Sequence, residues 1–275
     1  MSYTFTGFEG KVAVVTGAGR MRSIGRPIAV ELARAGCDVV LTGTGRSPDR
    51  YPDDEKVAGW HDIESVAAEV RALGRRALAV VSDVSDMGAV VKLAADVHAE
   101  FGRVDIVVNN AGAARADDRR PVIDLAPEDW CRVIDVNLTG SYHMCHVFGR
   151  ILAETGRGGS IINISSIAGK KMGANTAAYS ASKAGLHALT ACMSREVAAA
   201  NVRVNAICPG VIDTSRMDDL GRGEEWDRWV RDFIPLGRAG SGGDIASTVI
   251  YLCSDQGAWV TGQAWNVDGG SVVEH

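Results

Sequence analysis

Short apolar runs alternate with helical patterns along this 275-residue chain, and this alternation constrains its fold more than any other feature. Several runs are nearly continuous in Val and Ile, as expected for parallel strands that are buried on both faces. The pattern predicts a single α/β domain over 1–275, with a Rossmann-type, doubly wound parallel sheet of about seven strands and helices on both faces. The predicted strands are 11–16, 38–42, 76–81, 104–109, 160–165, 203–209 and 263–267, and the predicted helices are 24–35, 63–73, 87–101, 128–154, 179–200 and 244–254.

Composition and charge exclude several classes of function. The 29 basic and 34 acidic residues give a formal net charge of −5 without a dense basic stripe, so we expect no nucleic-acid partner. No run approaches the roughly 18 apolar residues that a membrane-spanning helix needs, so we expect no membrane-spanning segment and no membrane partner. Residues 1–11 have no apolar run behind a basic head, so no signal peptide is expected. Six scattered cysteines without metal-binding spacing indicate a reducing, cytoplasmic location and no metal site.

Two irregular stretches interrupt the alternation. Residues 43–60 are polar, contain Pro48 and Pro52, and are long for a connection between a strand and a helix. They predict either a solvated surface insertion or a loop that contacts the cofactor or a partner subunit. Residues 213–238 carry several aromatic side chains among many charges, which predicts either a substrate-binding lid or an ordinary packed helix pair.

The first predicted strand leads into a glycine-rich loop that opens the first helix. Residues 16–25 have the sequence TGAGRMRSIG, in which Ser23 is a candidate N-cap. Glycines let the backbone approach a pyrophosphate, and the helix N-terminus offers unpaired N–H groups and the positive end of its dipole. Because an ordinary strand–helix turn also carries glycines, the loop predicts a nucleotide site only together with other features.

The end of the second strand bears on the choice between NAD and NADP. An acid there commonly holds the ribose hydroxyls of NAD, but residues 41–46 have the sequence LTGTGR, without an acid. The guanidinium groups of Arg20, Arg22 and Arg46 suit a 2′-phosphate, so they favour NADP over NAD. An alternative stays open, because the long insertion could bring Asp49 or Asp53 back to the ribose.

Tyr179 and Lys183 are the strongest candidates for chemistry. Side chains four residues apart on a helix share a face, so the phenol and the ammonium point the same way. A free tyrosine has a pKa of about 10, and a nearby positive charge lowers that pKa. Tyr179 could then give a proton to a developing alkoxide or take one from an alcohol.

Polar residues elsewhere in the chain point to the same edge of the sheet. Ser166 follows a buried strand and could donate a hydrogen bond to the substrate oxygen. The run 109–112, NNAG, ends another strand, and Asn137 lies near the middle of the fourth predicted helix. Because ligands bind beyond the carboxyl ends of strands in open α/β sheets, these features predict one shared site.

On these residues, the chain resembles the classical short-chain dehydrogenases/reductases over 11–270. The remaining motifs of the resemblance are Asp83 with Val84, Pro209 with Gly210, and the run VDGG at 267–270. The resemblance implies a catalytic tetrad in which tyrosine is the acid/base, lysine holds the ribose and lowers the tyrosine pKa, and asparagine anchors a proton-relaying water. The tetrad residues are Asn137, Ser166, Tyr179 and Lys183.

The resemblance also implies how the chain holds its cofactor. Asp83 and Val84 would flank the adenine, Asn110 would support the central sheet, and Ile212 and Thr214 would hold the nicotinamide carboxamide. It further implies a homotetramer built on the two long helices, 128–154 and 179–200. The predicted cofactor-binding residues are Gly17, Gly19, Arg20, Arg22, Ser23, Ile24, Gly25, Arg46, Asp83, Val84, Asn110, Ala111, Gly112, Tyr179, Lys183, Pro209, Gly210, Ile212 and Thr214.

The sequence departs from the family's pattern in two places. The glycine loop has two extra residues between Gly17 and Gly25, with Ser23 in place of the middle glycine, and the second departure is the 43–60 insertion. Enoyl reductases of the wider family also have an altered loop, but their tyrosine and lysine are more widely spaced than Tyr179 and Lys183. The spacing therefore favours carbonyl reduction.

The leading interpretation is an NAD(P)-dependent alcohol dehydrogenase or ketone reductase that acts on a small-molecule secondary alcohol/ketone pair. A 3-oxoacyl thioester reductase is an alternative, although Lys170 and Lys171 are the only adjacent lysines that could attract a carrier protein. A non-catalytic nucleotide-binding sensor or scaffold is a further alternative, but it predicts loss of a tetrad residue. We expect 113–115, 167–178 and 217–233 to line the substrate pocket.

Overall fold

The computed structural model describes residues 4–274, and in it seven strands form one sheet in the order β3-β2-β1-β4-β5-β6-β7. All six pairs of neighbouring strands are parallel. β2 lies on one side of β1 and β4 lies on the other, so the direction of the strand order reverses at β1. The crevice in which such sheets bind ligands therefore lies at the carboxyl ends of β1 and β4. The strands are β1 Val12–Val15, β2 Asp38–Gly43, β3 Ala77–Val81, β4 Ile106–Asn109, β5 Gly159–Ile164, β6 Val202–Pro209 and β7 Ala264–Val267.

Helices cover both faces of the sheet, which confirms the predicted fold class. The N-cap of the first helix is Ile24 rather than the predicted Ser23, although the Ser23 hydroxyl, one residue earlier, accepts a hydrogen bond from the N–H of Arg26 at 3.2 Å. The helices are α1 Gly25–Ala35, α2 Asp53–Val57, α3 Ile63–Ala72, α4 Met87–Phe101, α5 Pro127–Ile134, α6 Gly140–Glu154, α7 Ala177–Glu196, α8 Glu224–Phe233 and α9 Gly242–Cys253.

The helix predicted over 128–154 differs in one respect from the helix observed. It begins at Pro127, whose missing N–H costs little in the first turn, and α5 continues into α6 through a π-helical turn, Asp135–Thr139. Turns of this kind are rare and often mark functional sites. The last predicted helix residues, 198–200, form a 3₁₀ turn after α7.

Two apolar layers hold the sheet between its helices. On one face α1 contributes Ile28 and Leu32, which are fully buried against the strands. On the other face α6 contributes Phe148 and Leu152. Because both faces are covered, the strands need continuous Val and Ile rather than alternating polar residues. Of the helices in the described part of the chain, none has the length and apolarity to cross a membrane.

Candidate active site

The loop between β1 and α1 lies directly against the loop that follows β4. Gly17 has a φ of +64°, and a Cβ there would lie 2.7 Å from the Cα of Ala111, so only glycine allows this approach. The side-chain amide of Asn110 donates hydrogen bonds to the carbonyl oxygens of Thr16 and Gly17, at 2.8 and 3.0 Å. Asn110 therefore ties the glycine loop to the centre of the sheet.

The 43–60 insertion folds against the glycine loop. The carboxylate of Glu55 is 1% exposed and accepts a hydrogen bond from the backbone N–H of Met21 at 2.8 Å. The indole of Trp60 donates to the carbonyl oxygen of Gly19 at 2.6 Å. The 43–60 insertion is exposed over much of its length, as expected for a surface insertion, but Glu55 and Trp60 pack it against the glycine loop, so the two departures from the family's pattern are in contact.

A cleft of about 740 Å³ extends along the carboxyl ends of the strands, from this insertion to Tyr179. Residues 113–115 line the cleft, as expected for the substrate region, whereas 217–233 contributes only Asp219 and 167–178 contributes no described residue. Among the predicted cofactor-binding residues, Gly25, Pro209, Gly210 and Ile212 lie outside its lining. Those that line it are Gly17, Gly19, Arg20, Arg22, Ser23, Ile24, Arg46, Asp83, Val84, Asn110, Ala111, Gly112, Tyr179, Lys183 and Thr214.

Two of the three arginines expected at a 2′-phosphate are paired with acidic side chains. Arg22 contacts Asp54 of the insertion at 2.7 Å. Arg46 has a side chain only 15% exposed and contacts Glu55 at 3.1 Å and Asp62 at 3.3 Å. The charges on which the expectation of NADP rested are therefore largely neutralised at these two positions.

Asp62 is a candidate functional residue that sequence reasoning missed. Its carboxylate oxygens lie 3.8 and 3.9 Å from the position of a Cβ on Gly43, the last residue of β2. The Asp62 carboxylate therefore lies beside the end of β2, where the sequence of the strand itself offers no acid. Asp62 is only 7% exposed and has a φ of 51°, a conformation that non-glycine residues rarely adopt. Asp49 and Asp53, the acids considered for this role, do not line the cleft.

Tyr179 and Lys183 lie one turn apart on α7 and line the same cleft, as predicted. The Nζ of Lys183 lies 5.8 Å from the centroid of the Tyr179 ring and donates to a backbone carbonyl oxygen at the end of β5. Burial alone would raise the pKa of Tyr179. The charges of Lys183 and Arg216 oppose burial, as do a hydrogen bond with Ser166 and the charge of Arg119, so the pKa lies below its ordinary value.

The other two predicted tetrad residues lie beside this pair. The Ser166 hydroxyl follows β5 and accepts a hydrogen bond from the N–H of Ala168 at 3.1 Å, which leaves its own proton available for donation. Asn137 lies fully buried in the π-helical turn. Its side chain accepts from the N–H of Ala113 at 2.8 Å and donates to the Ser182 hydroxyl at 3.0 Å. Asn137 therefore joins the turn to α7 and to the loop after β4.

Two arginines that sequence reasoning missed flank the ring of Tyr179. The Cζ atoms of Arg119 and Arg216 lie 4.5 and 5.5 Å from the ring centroid. Arg119 comes from the loop after β4, and Arg216 comes from a 3₁₀ turn, Ser215–Leu220, after β6. Neither residue belongs to a motif, so only the folded chain shows that they meet at the phenol.

Comparisons with known proteins agree with this geometry. The family model described as Enoyl-(Acyl carrier protein) reductase matches residues 17–272. The chain is 34% identical to a 2-dehydro-3-deoxy-D-gluconate 5-dehydrogenase of Escherichia coli (strain K12), over 95% of each chain. It is 35% identical to a 3-oxoacyl-[acyl-carrier-protein] reductase of Synechocystis sp., over 98% of this chain and 99% of that one. A solved 7α-hydroxysteroid dehydrogenase, complexed with NADH and 7-oxo glycochenodeoxycholic acid, matches with a TM-score of 0.83 and 31% identity, over 97% of this chain and 96% of that one.

The fold and the site together define an oxidoreductase built on a doubly wound α/β sheet. The chain belongs to the classical short-chain dehydrogenase/reductase family, as its motifs predict. Although the matching family model is named for enoyl reduction, the relatives described above are named dehydrogenases and a 3-oxoacyl reductase. These names agree with the carbonyl chemistry that the spacing of Tyr179 and Lys183 favours.

Proposed function

We propose that this protein transfers a hydride between a nicotinamide cofactor and a secondary alcohol/ketone pair, with Tyr179 as the acid/base. The local environment of Tyr179 is the observation that carries the proposal. Its phenol lies at the end of a nucleotide-sized cleft, beside Lys183 and within hydrogen-bond reach of Ser166, and its pKa is lowered.

In the proposed reaction, Tyr179 gives its proton to the ketone oxygen as that oxygen becomes an alkoxide. Ser166 donates a hydrogen bond to the same oxygen and stabilises its developing charge. When bound, the nicotinamide supplies or accepts the hydride. Lys183 lowers the pKa of the phenol and would also bind a ribose hydroxyl of the cofactor. In the oxidative direction Tyr179 takes the proton from the alcohol.

The buried Asn137 has a positioning role in this proposal. Its side chain links the loop after β4 to the start of α7 through one hydrogen bond to each. The π-helical turn leaves backbone carbonyl groups outside the regular helix pattern, and we propose that one of them anchors a water that relays protons.

The cleft would hold the cofactor along the glycine loop. The close approach of Gly17 to Ala111 and the N-terminus of α1 provide the cradle for a pyrophosphate. At the other end, Asp62 provides an acceptor for ribose hydroxyls, while Arg46 is engaged by Glu55 and Asp62. We therefore propose NAD rather than NADP as the preferred cofactor, against the expectation from the sequence. Arg20 forms no ion pair with a described residue, so its guanidinium still favours NADP.

Asp62→Asn tests this preference without removing the bulk of the side chain. Because a carboxylate accepts hydrogen bonds from ribose hydroxyls and repels a 2′-phosphate, we expect the variant to lose about tenfold or more in the ratio of NADH to NADPH affinity. Dissociation constants are measured by quenching of nucleotide fluorescence. Asp53→Asn, an exposed acid of the same insertion, is the control. Tighter binding of NADPH than NADH by the unmodified protein would contradict the proposal.

The 3-oxoacyl thioester reductase remains the second candidate, since several relatives carry that name. This chain supports it only weakly, because Lys170 forms an ion pair with Glu274 at 2.5 Å and donates a hydrogen bond to the carbonyl oxygen of Ala264. Its charge is therefore not free to attract a carrier protein. A non-catalytic scaffold has less support, because all four tetrad residues are present.

We also propose a cytoplasmic homotetramer that uses the surfaces of α6 and α7. A cytoplasmic location would keep the exposed thiols of Cys131 and Cys192 reduced.

The proposed activity is tested by mixing the purified protein with NADH or NADPH and a panel of ketones. We expect the absorbance of the reduced nicotinamide to fall with at least one ketone and to rise when NAD and the matching alcohol are supplied. Absence of turnover in both directions, with nucleotide bound, would favour the scaffold.

A further inference from the structure

The charges beside Tyr179 carry information about the substrate. The guanidinium groups of Arg119 and Arg216 both lie over its ring, in addition to the ammonium of Lys183. Burial lowers the pKa of Arg119, which shows that its charge is kept at a cost in desolvation. These charges lower the pKa of Tyr179, and they also attract an anion to the space beside the phenol.

Neither guanidinium has hydrogen-bond acceptors for all of its N–H groups among the described residues. Arg216 forms no ion pair with a described carboxylate, and its one hydrogen bond is to the carbonyl oxygen of Ala113. Arg119 has a side chain 19% exposed and contacts one carboxylate, that of Asp118, at 3.5 Å. Asp118 also contacts Arg132, at 3.4 Å. Since a guanidinium carries five N–H donors, most donors of Arg119 and Arg216 lack an acceptor among the described residues.

We propose that the substrate is an oxo acid or hydroxy acid whose carboxylate is bound by Arg119 and Arg216. The proposal rests on the proposed function and adds the class of substrate to it. A carboxylate pairs with guanidinium groups through two parallel hydrogen bonds and supplies the negative charge that these cations lack. Held there, it orients the neighbouring carbonyl group toward Tyr179.

The cofactor's pyrophosphate is the rival anion for one of these arginines. Arg216 lines the cleft and lies 3.3 Å from the position of a Cβ on Gly112, in the loop next to the glycine loop. Arg119 is not part of the cleft lining. Substitution of Arg119 therefore separates substrate binding from nucleotide binding.

The experiment compares short oxo acids with their primary amides, which keep the shape and lose the charge. With NADH as reductant, we expect the unmodified protein to favour the acid by about 10- to 100-fold in kcat/KM, as for a charged hydrogen-bonded pair. Arg119→Gln should remove most of this preference through a rise in KM for the acid, whereas any change in the pKa of Tyr179 affects the acid and the amide equally and cancels in their ratio. Arg120→Gln, an exposed neighbour paired with Asp117, is the matched control.

Calorimetry of the same acids with the NADH-loaded protein gives a second readout. We expect weaker acid binding in Arg119→Gln and an unchanged dissociation constant for NADH. Equal use of acids and amides by the unmodified protein would overturn the proposal, and so would an equal loss for both in Arg119→Gln, because that result indicates an effect on Tyr179 alone. Neither outcome touches the proposed function, which the ketone panel tests separately. If a ketone of that panel is reduced while no oxo acid is turned over or bound, the oxo-acid proposal alone fails.

Discussion

Tyr179→Phe is expected to reduce turnover by about 10²- to 10⁴-fold or more, while the dissociation constant for the cofactor changes little. The substitution removes one hydroxyl and keeps the ring that Arg119 and Arg216 contact. General acid/base catalysis contributes this much to a rate, and no other phenol is placed to replace it among the residues that line the cleft. Steady-state kinetics and nucleotide fluorescence measure the two quantities.

The matched control for this experiment is Tyr142→Phe. Tyr142 lies on α6, is 47% exposed and contacts His143 and His146 rather than the cleft. We expect that variant to keep its activity. Unchanged turnover in Tyr179→Phe would show that the phenol is not the acid/base, whatever the structure of the surrounding site.

The second large effect is expected from Lys183→Met, which removes the ammonium and keeps most of the side chain's volume. Burial raises the pKa of Tyr179, and Lys183 is the strongest influence that lowers it. In alcohol oxidation the phenolate is the base, so activity is present above the pKa of Tyr179 and is lost as the pH falls through it. Without Lys183 that pKa rises, so the acidic limb of the profile moves to higher pH and the rate near pH 7 falls by about 10²-fold.

The measurement is kcat/KM for alcohol oxidation as a function of pH, together with thermal unfolding to show that the variant is folded. Lys171→Met, an exposed lysine ahead of α7, is the control and should keep the profile of the unmodified protein. An acidic limb at the same pH in Lys183→Met would show that this ammonium does not govern the ionisation of Tyr179.

The fold was predictable because its signals are local. Nearly continuous apolar runs in β1 (VAVV) and β4 (IVVN) mark strands covered on both faces, and a glycine loop between a strand and a helix marks the crevice. The Tyr179–Lys183 pair was predictable for the same reason, since helical geometry alone places them on one face.

What the sequence could not predict depends on contacts between distant segments. Asp62 reaches the end of β2 only because Glu55 and Trp60 fold the insertion onto the glycine loop. No sequence periodicity indicates that the insertion folds back in this way, so the absence of an acid at the end of β2 favoured NADP. The π-helical turn at Asn137 also has no recognisable signal in the sequence, because one extra residue in a turn barely alters the apolar pattern of a helix.

The measurement that tests the central claim most directly is a crystal structure of the protein grown with NADH. We predict that the adenosine lies beside Asp62, the pyrophosphate lies on the glycine loop and the nicotinamide ring lies next to Tyr179 and Ser166. A nucleotide bound at the opposite edge of the sheet, or a nicotinamide ring remote from Tyr179, would contradict the account.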